Sequence, residues 1–147
     1  MICRKAIADE AFKAQDYVTA IKGYTECIST ALSINLPLDT VLFSNRAATY
    51  LALSRYVPAY HDSIQASKAD PTNWKAYWRQ ALALKGMTKK KFRTRLAIEA
   101  LERCLQCDNL PSERRPQVEE MLFQTKAFLR IQDDATPMPD LSNCISS

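Results

Sequence analysis

The sequence predicts an all-α chain, with three stacked helix pairs closed by a seventh helix. Three observations carry that expectation. The first is the scarcity of glycine, 2 in 147 residues, beside 7 prolines that mostly fall where connections between helices would lie. Phosphate loops, dinucleotide fingerprints and tight β-hairpins all need glycine for positive φ or close backbone approach, and neither Gly23 nor Gly86 lies in such a pattern. The second is a 47% apolar content, enough over this length to bury one core. The third is an internal repeat of small residues. Ala20, Ala59 and Ala97 each precede another small residue (Cys27, Ala66, Cys104) by 7 positions, and follow Ala8, Ala47 and Ala81 by 12, 12 and 16.

In chain order, helices are expected near 2–15, 17–31, 39–53, 56–69, 73–88, 93–107 and 116–130. The first pair carries Ala8 and Phe12, then Tyr17, Ala20 and Tyr24. The second repeats the arrangement, with Tyr56 three residues before Ala59 as Tyr17 is before Ala20, and ends at Asp70-Pro71. The interval from Cys27 to Ala47 is 20 residues against 15 from Ala66 to Ala81, which places about five extra residues in the first connection, around Pro37. The long Ala81–Ala97 interval places about four more around Gly86–Arg95. Small side chains at these positions let helix backbones approach, while Phe12, Tyr17, Tyr24, Leu51, Tyr56, Tyr77 and Leu84 fill the seams. The seventh helix opens on Pro116, which suits a first helical turn, and repeats apolar side chains at Val118, Met121, Leu122 and Leu129. One domain over 1–131 is expected, with units at about 1–34, 39–72 and 73–110 and a capping helix. Residues 132–147 hold too few large apolar groups to pack and are expected to form a disordered acidic tail.

Charge narrows the function classes. There are 20 basic and 16 acidic residues, but Asp133, Asp134 and Asp140 lie in a tail without a base, so residues 1–131 carry a net +7. Such a body favours anionic partners. A lone histidine, His61, removes most acid–base and zinc chemistry, and no enzyme activity or cofactor is expected. Five cysteines at irregular spacing, with no apolar leader after Met1, point to free thiols in a reducing, cytoplasmic setting. No run reaches the roughly 18 apolar residues of a membrane span.

Three segments then suggest what the anionic partner is. Lys5-Ala-Ile-Ala-Asp9-Glu-Ala-Phe12-Lys13 resembles a Lys-x-x-Gly-Asn-x-x-Phe-Lys opening. Ser44-Asn45-Arg46-Ala47 matches Ser-Asn-Arg-Ala, and Asp70-Pro71-Thr72-Asn73-Trp74-Lys75-Ala76-Tyr77-Trp78-Arg79 resembles Asp-Pro-x-x-x-Lys-Ala-Tyr-x-Arg. Together with the small-residue repeat over residues 4–108, they make the chain similar to tetratricopeptide repeats, in the subgroup of co-chaperones that carries a two-carboxylate clamp. The resemblance implies a right-handed superhelical stack, with Lys5, Asn45, Lys75 and Arg79 holding the carboxylates of a partner's C-terminal peptide. The implied partner is a seventy- or ninety-kilodalton heat-shock chaperone, bound by a monomeric adaptor. Phe12, Lys13, Ala48 and Leu82 would line the groove. Asp9 stands where the pattern has asparagine and would border the site as a weakening, like-charged neighbour. The spacing agrees independently: Lys75 and Arg79 share a helix face, and Asn45 and Arg79 both stand two residues ahead of a packing alanine. The alternative is a scaffold whose groove takes a different peptide or helix, unrelated to chaperones.

Other features are read as structural. Cys104 and Cys107 have CxxC spacing, but Cys104 occupies a packing position and no second pair accompanies it. The run Lys85, Lys89, Lys90, Lys91, Arg93 and Arg95 coincides with the insertion and is expected to be solvated; it is compatible with nuclear entry but not with specific nucleic-acid binding. Cys144-Ile-Ser-Ser147 has the outline of a prenylation box, but Ser146 replaces an aliphatic residue and an acidic tail precedes it, so no membrane attachment is expected.

Overall fold

The computed structural model describes residues 2–87 and 90–135, the side chains of residues 2 and 3 excepted. Among them every regular element is helical: α1 (Ile2–Lys13), α2 (Tyr17–Ser33), α3 (Thr40–Ala52), α4 (Tyr56–Ala69), α5 (Trp74–Gly86), α6 (Lys91–Gln106) and α7 (Arg115–Asp134). Cys144, Lys89 and residues 136–147 of the expected tail lie outside the described residues.

Side-chain caps open three of the helices. Asp16 accepts from the Thr19 amide at 3.3 Å, Asp39 from Val41 at 2.9 Å and Asn73 from Lys75 at 3.1 Å, satisfying donors that a helix N-terminus leaves unpaired. Helices α1, α2 and α3 close alike. The amides of Asp16, Leu36 and Arg55 reach back to the carbonyls of Ala11, Ala31 and Tyr50 at 2.8–2.9 Å, and the residues before them, Gln15, Asn35 and Ser54, have φ of 62°, 52° and 55°. This left-handed closing residue is usually glycine.

The two glycines stand where helices touch. A Cβ on Gly23 would fall 2.7 Å from that of Ala8, and one on Gly86 would run into the Tyr56 ring. Each helix packs on its neighbours in the chain, and α3 also reaches α5; with Asn45 of α3 bonded to Asp9 of α1 and the start of α7 bordering a cleft with α3 and α5, the odd-numbered helices line one wall. The small positions are the tightest: Ala8, Ala20, Ala47, Ala59, Ala66, Ala81 and Cys104 are wholly buried, whereas Cys27 is half-buried. Around them the core forms two clusters, one centred on Tyr24, Ile28 and Phe43 and the other on Tyr77, Leu101 and Val118.

Several polar groups inside the stack are paired across helices. Arg46 on α3 makes a two-pronged bond to Asp62 on α4, Nε to Oδ2 at 2.7 Å and Nη2 to Oδ1 at 2.8 Å, and donates to Thr25 Oγ1 on α2 at 3.1 Å. Hydrogen bonds to Asp62, working against burial, raise the already high pKa of Arg46 further. Gln80 donates to the Ser63 carbonyl at 3.2 Å and to Ser67 Oγ at 2.8 Å.

The seventh helix extends beyond the expected boundary. It continues to Asp134, and Asp133 forms an ion pair with Lys91, so three residues read from composition as tail are helical and one base of the Lys85–Arg95 run is paired. His61 is exposed. Cys104 and Cys107 are free, buried thiols whose Sγ atoms face the carbonyls of Trp74 and Arg103, and burial pushes Cys104 up to about 12. Among the described residues no cluster of His, Cys, Asp or Glu could hold a metal, and no helix is long and apolar enough to cross a membrane.

Candidate functional site

The expected site residues converge on the wall made by the odd-numbered helices. On α1, Lys5 and Asp9 are one turn apart and form an ion pair, Nζ to Oδ2 at 2.9 Å. The other oxygen of Asp9, Oδ1, accepts from the Tyr24 hydroxyl of α2 at 2.5 Å and from Asn45 Nδ2 of α3 at 3.3 Å. One carboxylate therefore ties three helices together. Burial alone would raise the pKa of Asp9; the hydrogen bonds from Tyr24 and Lys5, the Lys5 charge and the Asn45 amide outweigh it and hold the carboxyl below its ordinary 3.8. Burial and the bond to Asp9 push the Tyr24 phenol well above its ordinary 10.

Arg79 reaches from α5 across to α3, where Nη1 donates to the Ser44 carbonyl at 2.8 Å and to Ser44 Oγ. Burial pushes its guanidinium down to about 10, which leaves it a cation at neutral pH. Lys75, one turn before it, is exposed, its Nζ lying 6.0 Å from the centre of the Trp74 ring.

These side chains line two clefts that join. A cavity of about 280 Å³ is bounded by Asp9, Phe12, Lys13, Tyr24, Asn45, Ala48 and Arg79. A larger one of about 560 Å³ is bounded on α3 by Ala48, Leu51 and Ala52, on α5 by Lys75, Trp78, Arg79 and Leu82, and at the start of α7 by Arg114, Gln117 and Val118. Ala48 and Arg79 belong to both, so one groove runs from α1 to α7. Eight of the nine expected residues line it, and the ninth, Lys5, joins through Asp9. Asp9 lines the groove, and both Lys5 and Asn45 are bonded to it.

Two residues escaped the sequence reading. Tyr24 was expected only to fill a seam, although a buried tyrosine generally needs a partner for its hydroxyl, and that was the available signal. Arg114 lies between Pro111 and Pro116 with no helical register to place it, and only the return of α7 onto the stack brings it to the groove.

No family model matches the chain. Over 104 residues it is 38% identical to the Small glutamine-rich tetratricopeptide repeat-containing protein 2 of Mycosarcoma maydis; the match takes in 71% of this chain and 27% of that protein, so the chain corresponds to about a quarter of its relative's length. The crystal structure of the Sgt2 TPR domain from Aspergillus fumigatus superimposes with a TM-score of 0.72 at 28% identity, covering 92% of this chain and 83% of that one. The second TPR domain of human RPAP3, solved in complex with the HSP70 peptide SGPTIEEVD, does so with a TM-score of 0.69 at 26% identity, over 85% of this chain and 93% of that one. Three sequential helix pairs and a seventh helix among the described residues, the alanine-lined seams and these likenesses agree: the chain is a tetratricopeptide-repeat domain, resembling those of the carboxylate-clamp co-chaperones.

Proposed function

We propose that the domain is a non-enzymatic, cytoplasmic adaptor that receives the acidic C-terminal peptide of seventy- or ninety-kilodalton heat-shock chaperones in the α1–α7 groove. The observation that carries this reading is the convergence of Lys75 and Arg79 from α5 and Asn45 from α3 on one groove, beside apolar wall from Phe12, Ala48, Trp78 and Leu82. An extended acidic peptide is complementary to it. Its carboxylates accept charge-assisted hydrogen bonds from the cations, and its apolar side chains lie against Phe12, Trp78 and Leu82. The RPAP3 domain that shares this fold holds a peptide of that kind. An affinity of about 1 μM suits a short segment that loses conformational entropy on binding.

The test is a fluorescence titration with labelled SGPTIEEVD, beside SGPTIQQVN, in which the acidic side chains are replaced by their amides. Saturable binding is expected, weakened at least about tenfold by the neutral peptide and to a similar degree by Lys75→Ala, the loss of a charge-assisted bond. Equal affinity for both peptides, or no binding to either, would overturn the reading.

A further inference from the structure

The groove is electrostatically divided, and its two halves are not equally available. At the α1–α3 end the Asp9 carboxylate accepts from Lys5, Tyr24 and Asn45, so the ammonium and the amide expected to meet a ligand already hold a carboxylate of the chain itself. A second carboxylate entering there would meet a like charge and would have to share or displace those donors. The α3–α5–α7 cleft is the opposite case. No acidic residue lines it, while Lys75, Arg79 and Arg114 do, and none of the three forms an ion pair among the described residues. Arg114 is exposed and donates from Nη1 to Gln117 Oε1 at 3.3 Å, a neutral partner that leaves its charge uncompensated. Leu51, Trp78, Leu82 and Val118 supply apolar wall between the cations.

We propose that the carboxylate-reading centre of this domain is the α3–α5–α7 cleft, with Arg114 as a binding residue beside Lys75 and Arg79, and that Asp9 closes the α1–α3 end to a ligand's terminal carboxylate. The ligand class is then an acidic segment with interleaved apolar residues that need not end at the partner's last residue. This rests on the reading that the groove receives an acidic peptide and changes what the groove asks of it: side-chain carboxylates are read, and a free C-terminus is not.

The experiment compares SGPTIEEVD as the free acid, as the C-terminal amide, and followed by Gly-Ser-Gly-Ser amide, against the full chain and its Arg114→Ala, Asp9→Asn and Arg130→Ala variants. Arg130 is exposed on the distal part of α7 and controls for net charge, and the far-ultraviolet circular dichroism of each variant monitors folding. The unaltered chain should bind all three peptides within about twofold, and Arg114→Ala should weaken each by about fivefold or more, as loss of a charge-assisted contact does, with Arg130→Ala unchanged. Asp9→Asn should tighten the free acid by about fivefold and leave the amide as it was, because only the free acid gains the released Lys5. A preference of the unaltered chain for the free acid of about tenfold or more would overturn the inference while leaving chaperone-peptide binding intact. So would an Arg114→Ala variant that binds like the unaltered chain. Failure of all three peptides to bind would remove both. The acid-to-amide ratio is measured within one protein, so it decides the matter even where a variant folds poorly.

Discussion

The hydroxyl of Tyr24 donates to Oδ1 of Asp9 at 2.5 Å, joining α2 to α1 at the point where both meet α3. The bond accounts for an ionised carboxylate in a groove otherwise suited to anions. Asp9 is held by its own fold before any ligand arrives.

Removing that donor should cost stability. Tyr24→Phe keeps the buried ring and deletes a hydrogen bond to a charged acceptor, a change of about 1.5–3 kcal/mol, readable as a lower midpoint of urea unfolding. The pH dependence follows from the depressed Asp9 pKa. Its stabilisation is complete above the ordinary aspartate value of 3.8 and is lost as pH falls through the lower folded value. The urea midpoint of the unaltered chain should therefore fall more steeply below pH 4 than that of Asp9→Asn.

The Arg46–Asp62 pair is the most enclosed ion pair among the described residues, its side chains 16% and 8% exposed. Asp62→Ala leaves the guanidinium buried beside Thr25 with no counter-charge, and should destabilise the fold by about 3–5 kcal/mol. Arg46→Met with Asp62→Leu should recover much of that loss, because no charge is then left unpaired. Thermal melts of the single and double variants would measure it, and a double variant no better than Asp62→Ala would contradict the account.

Gly23 tests the close approach of α1 and α2. Although alanine is the better helix former, Gly23→Ala brings its Cβ within 2.7 Å of that of Ala8 and should cost about 1–2 kcal/mol by forcing the helices apart. Ala8→Gly in the same protein relieves the contact and should raise the melting temperature again.

The left-handed residues should respond in the other direction. Gln15→Gly and Ser54→Gly remove a Cβ from a backbone with φ of 62° and 55°, and each should stabilise the chain by about 1 kcal/mol in calorimetry. Asn35→Gly should gain less, since asparagine adopts this conformation more readily than other side-chain-bearing residues.

The CxxC spacing should confer no thiol reactivity. With Cys104 pushed up to about 12 by burial, alkylation by iodoacetamide at pH 8 should reach it only on unfolding, and a chelator should leave the melting temperature unchanged.

The order and approximate limits of the first six helices were legible because close packing imposes a spacing on small residues. Ala8, Ala20, Ala47, Ala59 and Ala66 recur at fixed intervals because each lies where two backbones meet, and a larger side chain at any of them would separate the helices. The end of α7 was not legible in this way. Composition placed Asp133 in a tail, whereas Lys91, some forty residues earlier, holds it on the stack.

The groove shows the same division more sharply. Sequence by itself placed Lys75 and Arg79 on one helix face and Asn45 at the equivalent position of an earlier helix, because helical periodicity is local. Only the tertiary structure decided which of them are free to act. Lys5 and Asn45 are held by Asp9, Asp9 is held by Tyr24 from another helix, and Arg114 arrives from a connection without periodicity. The physical reason is that a helix fixes direction through hydrogen bonds four residues apart, while the pairing of a charge depends on what other helices bring within about 3 Å of it, and no local spacing encodes that distance.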